Sequence, residues 1–126
     1  MRMFLQLALA LAFYSPAFAE QDFPSTPEQR HLLADYMHKH FAYPDTIKQA
    51  EISGMHTYDN GVSVVCAKYS VVIGKTERVR VPQRAVMFEV IDGGSNMEMT
   101  TSSGCEKEYF KYIPFPEAEH RRGFNN

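Results

Sequence analysis

The stretch ISGMHTYDNGVSVVCAKYSVVI, from Ile52 to Ile73, decides the fold. On both sides of Asp59-Asn60-Gly61 the residues alternate and β-branched side chains dominate. A period of two is that of a strand whose successive side chains point to opposite faces. Asn60-Gly61 supplies the positive φ angles that a tight hairpin turn needs. Ile52 to Tyr58 and Val62 to Ile73 are therefore predicted as two antiparallel strands.

Downstream, Gly74-Lys75-Thr76 is the next turn. Glu77 to Val81 then alternates Arg78 and Arg80 outward with Val79 and Val81 inward, until Pro82, which lacks an N–H, interrupts the ladder. Ala85 to Ile91 is mostly apolar on both sides, as expected of a central strand. Asp92-Gly93-Gly94-Ser95 turns the chain, and Asn96 to Thr101 alternates Met97 and Met99 with Glu98 and Thr100. Beyond Cys105, Glu106 to Ile113 reads as a last strand or as one helical turn and more, and the aromatics Tyr109, Phe110 and Tyr112 favour the strand. Pro114 and Pro116 end it, and residues 117–126 read as a polar, loosely held tail.

Upstream the period changes. Gln21 to Thr26 reads as a short arm, and Thr26-Pro27-Glu28-Gln29 announces a helix. It combines a hydroxyl N-cap, proline at the first helical position, and a glutamine three residues on that closes a capping box. Leu32, Leu33, Tyr36, Met37, His40 and Phe41 follow at spacings of three and four, one face of a helix from Pro27 to about Phe41. Tyr43-Pro44 stops it, because the residue before proline is pushed out of the helical region. Asp45 is placed to cap one more turn, through Lys48 and Ala50. The sum is a single α+β domain over residues 20–116: an N-terminal helix packed on one face of a small antiparallel sheet of four to six strands.

The start of the chain carries an address. Met1 and Arg2 open a short positive region, Leu5 to Phe13 is apolar except for Gln6, and Ala17-Phe18-Ala19 is a small-x-small cleavage site. Residues 1–19 are thus expected to be a signal peptide directing the chain to the periplasm or the medium. The apolar run is too short to span a membrane. Cys66 and Cys105 are the only two cysteines. In an oxidising compartment such a pair reads as one disulfide, closing a loop of about 40 residues.

With Arg2 removed, 12 Lys and Arg face 15 Asp and Glu, a balance that makes nucleic acid an unlikely partner. Between Lys68 and Arg84 five cations stand against Glu77 alone, whereas Ala85 to Glu119 holds seven acids against Lys107 and Lys111. The basic positions Arg78, Arg80 and Arg84 are candidate contacts for a protein or another anionic macromolecule of the envelope. Charge pairing between adjacent strands is the alternative use for them.

Tyr43-Pro44-Asp45-Thr46-Ile47-Lys48, followed by Val64-Val65-Cys66-Ala67-Lys68-Tyr69, resembles a group of small, uncharacterised bacterial exported domains. In that group a Pro-Asp-Ser-Ala-Lys-Phe-like turn precedes a strand reading Val-Cys-Gly-x-Val-Asn; Ala67 stands here where those have glycine. The resemblance implies an envelope address and a small α+β fold.

Other chemistries have weaker footing. His31, Asp35 and His38 share one side of the helix at metal-capable spacing, but that side is opposite the apolar stripe, where polar residues ordinarily meet water. Met97 and Met99, with Met55, Met87 and His56, are the soft ligands copper(I) takes, and methionine is equally a core filler. Gly-x-Ser-x-Gly, Ser-x-x-Lys and His-Glu-x-x-His are absent. Glu89, interrupting an apolar strand, is the one candidate acid for glycoside cleavage, which needs a second carboxylate across a cleft. Phe115 and Phe124 mark the C-terminal arm as a candidate docking peptide. No cofactor and no metal is expected. The leading expectation is an exported, non-enzymatic protein that binds a macromolecular partner as an inhibitor, immunity or accessory factor; the rivals are a periplasmic metal-binding protein and a small envelope-polymer hydrolase.

Overall fold

A computed structural model describes residues 20–119. The expected signal peptide and the tail beyond Glu119 lie outside the described residues. The elements run β1 (Gln21–Phe23), α1 (Pro27–His40), a 3-10 turn (Pro44–Thr46), β2 (Lys48–Thr57), β3 (Ser63–Ile73), β4 (Val79–Ile91), a 3-10 turn (Asp92–Gly94), β5 (Asn96–Met99), β6 (Tyr112–Pro114) and a helical turn, α2 (Pro116–Glu119). The strands form one antiparallel sheet in the order β1-β2-β3-β4-β5, with β6 beside β1 on the outer edge of β2. Among the described residues no helix is long and apolar enough to cross a membrane.

The helix begins as its sequence dictates. The Thr26 hydroxyl accepts from the Gln29 N–H and the Gln29 side chain accepts from the Thr26 N–H, a complete capping box with Pro27 at the first position. Its Leu33, Ala34 and Met37 are fully buried against Ile52, Val65, Ala67 and Phe88 of the sheet. It is not the first element, however. The expected arm contains β1, whose three residues pair with Met55–Thr57 and which is too short for periodicity to reveal.

The opposite face of the sheet carries a smaller core of Val64, Cys66, Met87, Cys105 and Phe110. Cys66 and Cys105 are bonded there. That bond explains why the expected strand over Glu106 to Ile113 is only Tyr112–Pro114. Cys105 must lie on the face of β3, so the chain crosses that face in two turns, Lys107 N–H to Gly104 O and Phe110 N–H to Lys107 O, before it can reach the edge of β2.

Three further expectations shift. The turn after Pro44 is a single 3-10 turn, and Lys48 already belongs to β2. At the hairpin, Tyr58 donates to Val62 O across three loop residues, and only Gly61 takes a positive φ, of 88°. The C-terminal segment is anchored as far as Glu119. Phe115 is fully buried, its N–H donates to Ala50 O, and the Glu119 carboxylate accepts from the Ala50 N–H. A buried Phe115 is unavailable as a docking anchor.

Pro82 does not end its strand. Tyr69 faces Arg84 and Val71 faces Val81, so Pro82 and Gln83 together oppose Ser70 in a bulge, a place where a missing N–H costs the ladder nothing. β2 has its own irregularity nearby, between Lys48 and Glu51, where Gln49 takes a φ of 54°. The Gln83 side chain spans β3 to donate to Gln49 O and the Glu51 carboxylate. The two irregularities flank β3 at Tyr69–Ser70, and beyond them the β3–β4 hairpin runs on past the start of β2.

Candidate partner-binding site

The bulge redistributes the three arginines singled out above. Arg78, Arg80 and Arg84 are an even number of residues apart, which on an unbroken strand would place them on one face. One extra residue reverses the alternation. Arg80, opposite Val72, points to the disulfide side, whereas Arg84, opposite the buried Tyr69, points to the helix side.

Their chemical situations differ as well. Arg80 donates to Thr46 O and the Ser70 hydroxyl, both at 3.0 Å, and so ties β4 across β3 to the 3-10 turn. Arg78 lies 4.5 Å above the Tyr43 ring, and the Tyr43 hydroxyl in turn donates to Gly74 O. Both arginines hold the hairpin in place. The Arg84 guanidinium makes no hydrogen bond or ion pair among the described residues, and the side chain is exposed.

Arg84 borders a cleft of about 240 Å³ between the C-terminal end of α1 and the hairpin, walled by Phe41, Tyr69, Val71 and Val81, with His40 and Met99 also lining it. The cleft exists because α1 ends at His40 while the sheet face continues. Burial pushes the Tyr69 phenol up to about 12, with the charge of Arg84 pulling against it and Tyr36 adding to it, so Tyr69 is a neutral wall at physiological pH. Around the cleft the exposed apolar side chains are Ile73 (49%), Val79 (57%) and Met99 (40%). The outer edge of β4 is also open. β5 covers Phe88–Ile91, the Thr100 N–H takes Met87 O, and no described strand lies beside Val79 to Val86 on that side.

A second cluster was not anticipated by the sequence as a unit. His56, only 3% exposed, has Nδ1 at 2.6 Å from the Asp22 carboxylate of β1 and Nε2 at 3.7 Å from that of Glu20. Its ring stacks on Tyr109 at 3.7 Å and meets Tyr58 edge-on at 4.8 Å. Burial first, then hydrogen bonding with Tyr109, pushes the Tyr58 phenol up to about 12. His56 Nε2, the nitrogen that would take a nucleophile's proton in a hydrolase, has no hydrogen-bond partner among the described residues. The cluster's evident work is structural: it fastens β1 and the disulfide loop to the same spot on β2. Asp22 and His56 are 34 residues apart, a pairing no local pattern signals.

The other candidates stay dispersed. Among the described residues no group of three or more His, Cys, Asp or Glu is arranged to hold a metal ion. Of the helical set, His38 Nε2 lies 2.7 Å from Ala118 O, an attachment to α2. Met97 is buried in the helix-side core, Met87 belongs to the disulfide-side core, and Met55 Sδ accepts from the Gln29 amide. Glu89 stands directly opposite Glu98 between β4 and β5, and neither lines the clefts described. A larger hollow of about 530 Å³ lies on the disulfide side, but its Lys68 is already seated over the Tyr112 ring at 4.1 Å.

Among the described residues, Arg84 is thus the position where an unpaired charge, an apolar cleft and an open strand edge coincide. Comparison with protein-family models, curated proteins and solved structures finds no match for this chain.

Proposed function

We propose that this is an exported, non-enzymatic protein that captures a macromolecular partner in the cell envelope through the Arg84 end of its sheet. The observation that carries this reading is the Arg84 guanidinium, unpaired among the described residues, beside an apolar cleft with Ile73, Val79 and Met99 exposed around it. Apolar area gives a partner something to bury, and a central unpaired arginine gives it a charge to satisfy; arginine is enriched among the residues that dominate interfaces. The leader-like start of the chain and the Cys66–Cys105 bond support an oxidising location. Arg78 and Arg80 serve the same site by holding the hairpin.

The test is capture from envelope extract by the tagged protein and two variants. Arg84→Glu is expected to lose the captured partner with a melting temperature within about 2 °C of the parent, because an exposed, unpaired side chain contributes little to folding. Arg80→Ala is expected to lower the melting temperature, since Thr46 O and the Ser70 hydroxyl lose their donor. Undiminished capture by Arg84→Glu contradicts the reading.

A further inference from the structure

The size of the cleft and its single charge narrow what a partner presents there. A volume of about 240 Å³ is below the ~300–1,000 Å³ of clefts that enclose a drug-sized ligand. An apolar cavity of about 150 Å³ already accepts benzene. One large apolar side chain is enough to fill it. The charge is one guanidinium, because Arg78 and Arg80 are engaged. Its planar fork matches a carboxylate through two parallel hydrogen bonds. A long acidic segment would call for several free cations on one face, and the bulge has removed that possibility.

The open edge of β4 adds direction. An extended segment that joins a sheet edge gains main-chain hydrogen bonds, while its alternate side chains meet pockets on one face. Pro82 has no N–H to offer, so the edge suits a short segment rather than a full-length strand. The last residue of a polypeptide carries a carboxylate and a side chain on the same Cα, and thus supplies both features at the spacing of a single residue.

Building on the binding role above, we propose that the β4 edge and the Arg84 cleft receive the free C-terminus of a partner protein, with its last, apolar side chain against Phe41, Tyr69 and Val71 and its carboxylate on Arg84. His40, exposed at the end of α1, is a second donor available at the same rim.

The test uses immobilised protein and pools of hexapeptides randomised at the first five positions. The pools end in Leu or Phe as the free acid, in Leu or Phe as the amide, or in Ser as the free acid; laurate is the competitor. Mass spectrometry reads retention. The apolar free acids are expected to be retained about tenfold or more over their amides, the effect of losing one charge-assisted contact, and Arg84→Gln should erase that preference. Equal retention of acid and amide, or of the Ser-ended pool, overturns the proposal. So does displacement by laurate at equal concentration, which assigns the cleft to fatty acids. If Arg84→Glu loses envelope capture while no peptide pool is retained, the C-terminus is refuted and the binding role stands; if capture also survives in that variant, both fall.

Discussion

Replacing both Cys66 and Cys105 by alanine removes the covalent tie between the 104–111 crossing segment and the face of β3. The bond joins residues 39 apart in sequence, and in the chain-entropy treatment a closed loop of that size restricts the unfolded chain by on the order of 4 kcal/mol. The cost does not end there, because both cysteines are buried beside Val64, Met87 and Phe110, and deleting their sulfurs leaves unfilled space in the smaller core. For a domain of about 100 residues each kcal/mol shifts the melting temperature by roughly 4–8 °C. The double variant should therefore melt about 15–30 °C below the parent by far-UV circular dichroism. Reduction of the parent should give most of the same loss. A drop under about 5 °C would refute the reasoning, since it would mean that the crossing segment holds its place by packing alone.

Two further outcomes follow from buried polar contacts. Burial works to raise the Glu117 carboxyl, but the hydrogen bond and charge of Arg30, 2.7 Å away, together with a backbone hydrogen bond, outweigh it and hold the group below its ordinary 4.5. A depressed carboxyl contributes stability that is complete above its unfolded value and is lost as pH falls through the folded one. Glu117→Gln should accordingly cost about 1–2 kcal/mol in urea unfolding at pH 7 and much less at pH 3; an equal gap at both would rule out the ion pair as the cause. Asp22→Ala leaves the buried Nδ1 of His56 without its partner and should cost about 1 kcal/mol, seen as faster amide exchange at Met55–Thr57 while β3 and β4 stay protected. Exchange that rises uniformly across the sheet would show that β1 does not open on its own.

The parts of the fold that the sequence displays are those set by local rules. Thr26-Pro27 and Gln29 specify where α1 begins, Leu33 and Met37 specify which side it buries, and Gly61 specifies the hairpin. The Cys66–Cys105 bond is the pairing expected of the only two thiols in the sequence. What stayed hidden depends on contacts between distant residues. β1 is stable only because Asp22 finds His56 and the edge of β2 finds a neighbour. The turns from Gly104 to Phe110 replace an expected strand because Cys105 is tethered to a sheet face rather than to an edge.

The candidate site was half legible for the same reason. Arg78, Arg80 and Arg84 were recognisable as a basic run, but not which of them is free. Pro82 was visible as an interruption; that it marks a bulge, turning Arg84 to the helix side while Arg80 bonds to Thr46, requires the register against Tyr69 and Val71. No pattern along the chain encodes the place where α1 stops short of the end of the sheet, and that shortfall makes the cleft.

The most direct measurement of partner capture at Arg84 is photocrosslinking in the native envelope from a benzoylphenylalanine installed at Val79, with Glu108 on the disulfide loop as the comparison position. A discrete adduct from position 79, absent from position 108 and lost when Arg84→Glu is added, is the expected result. No adduct from position 79, or the same adduct from both positions regardless of Arg84, would contradict a binding site at this end of the sheet.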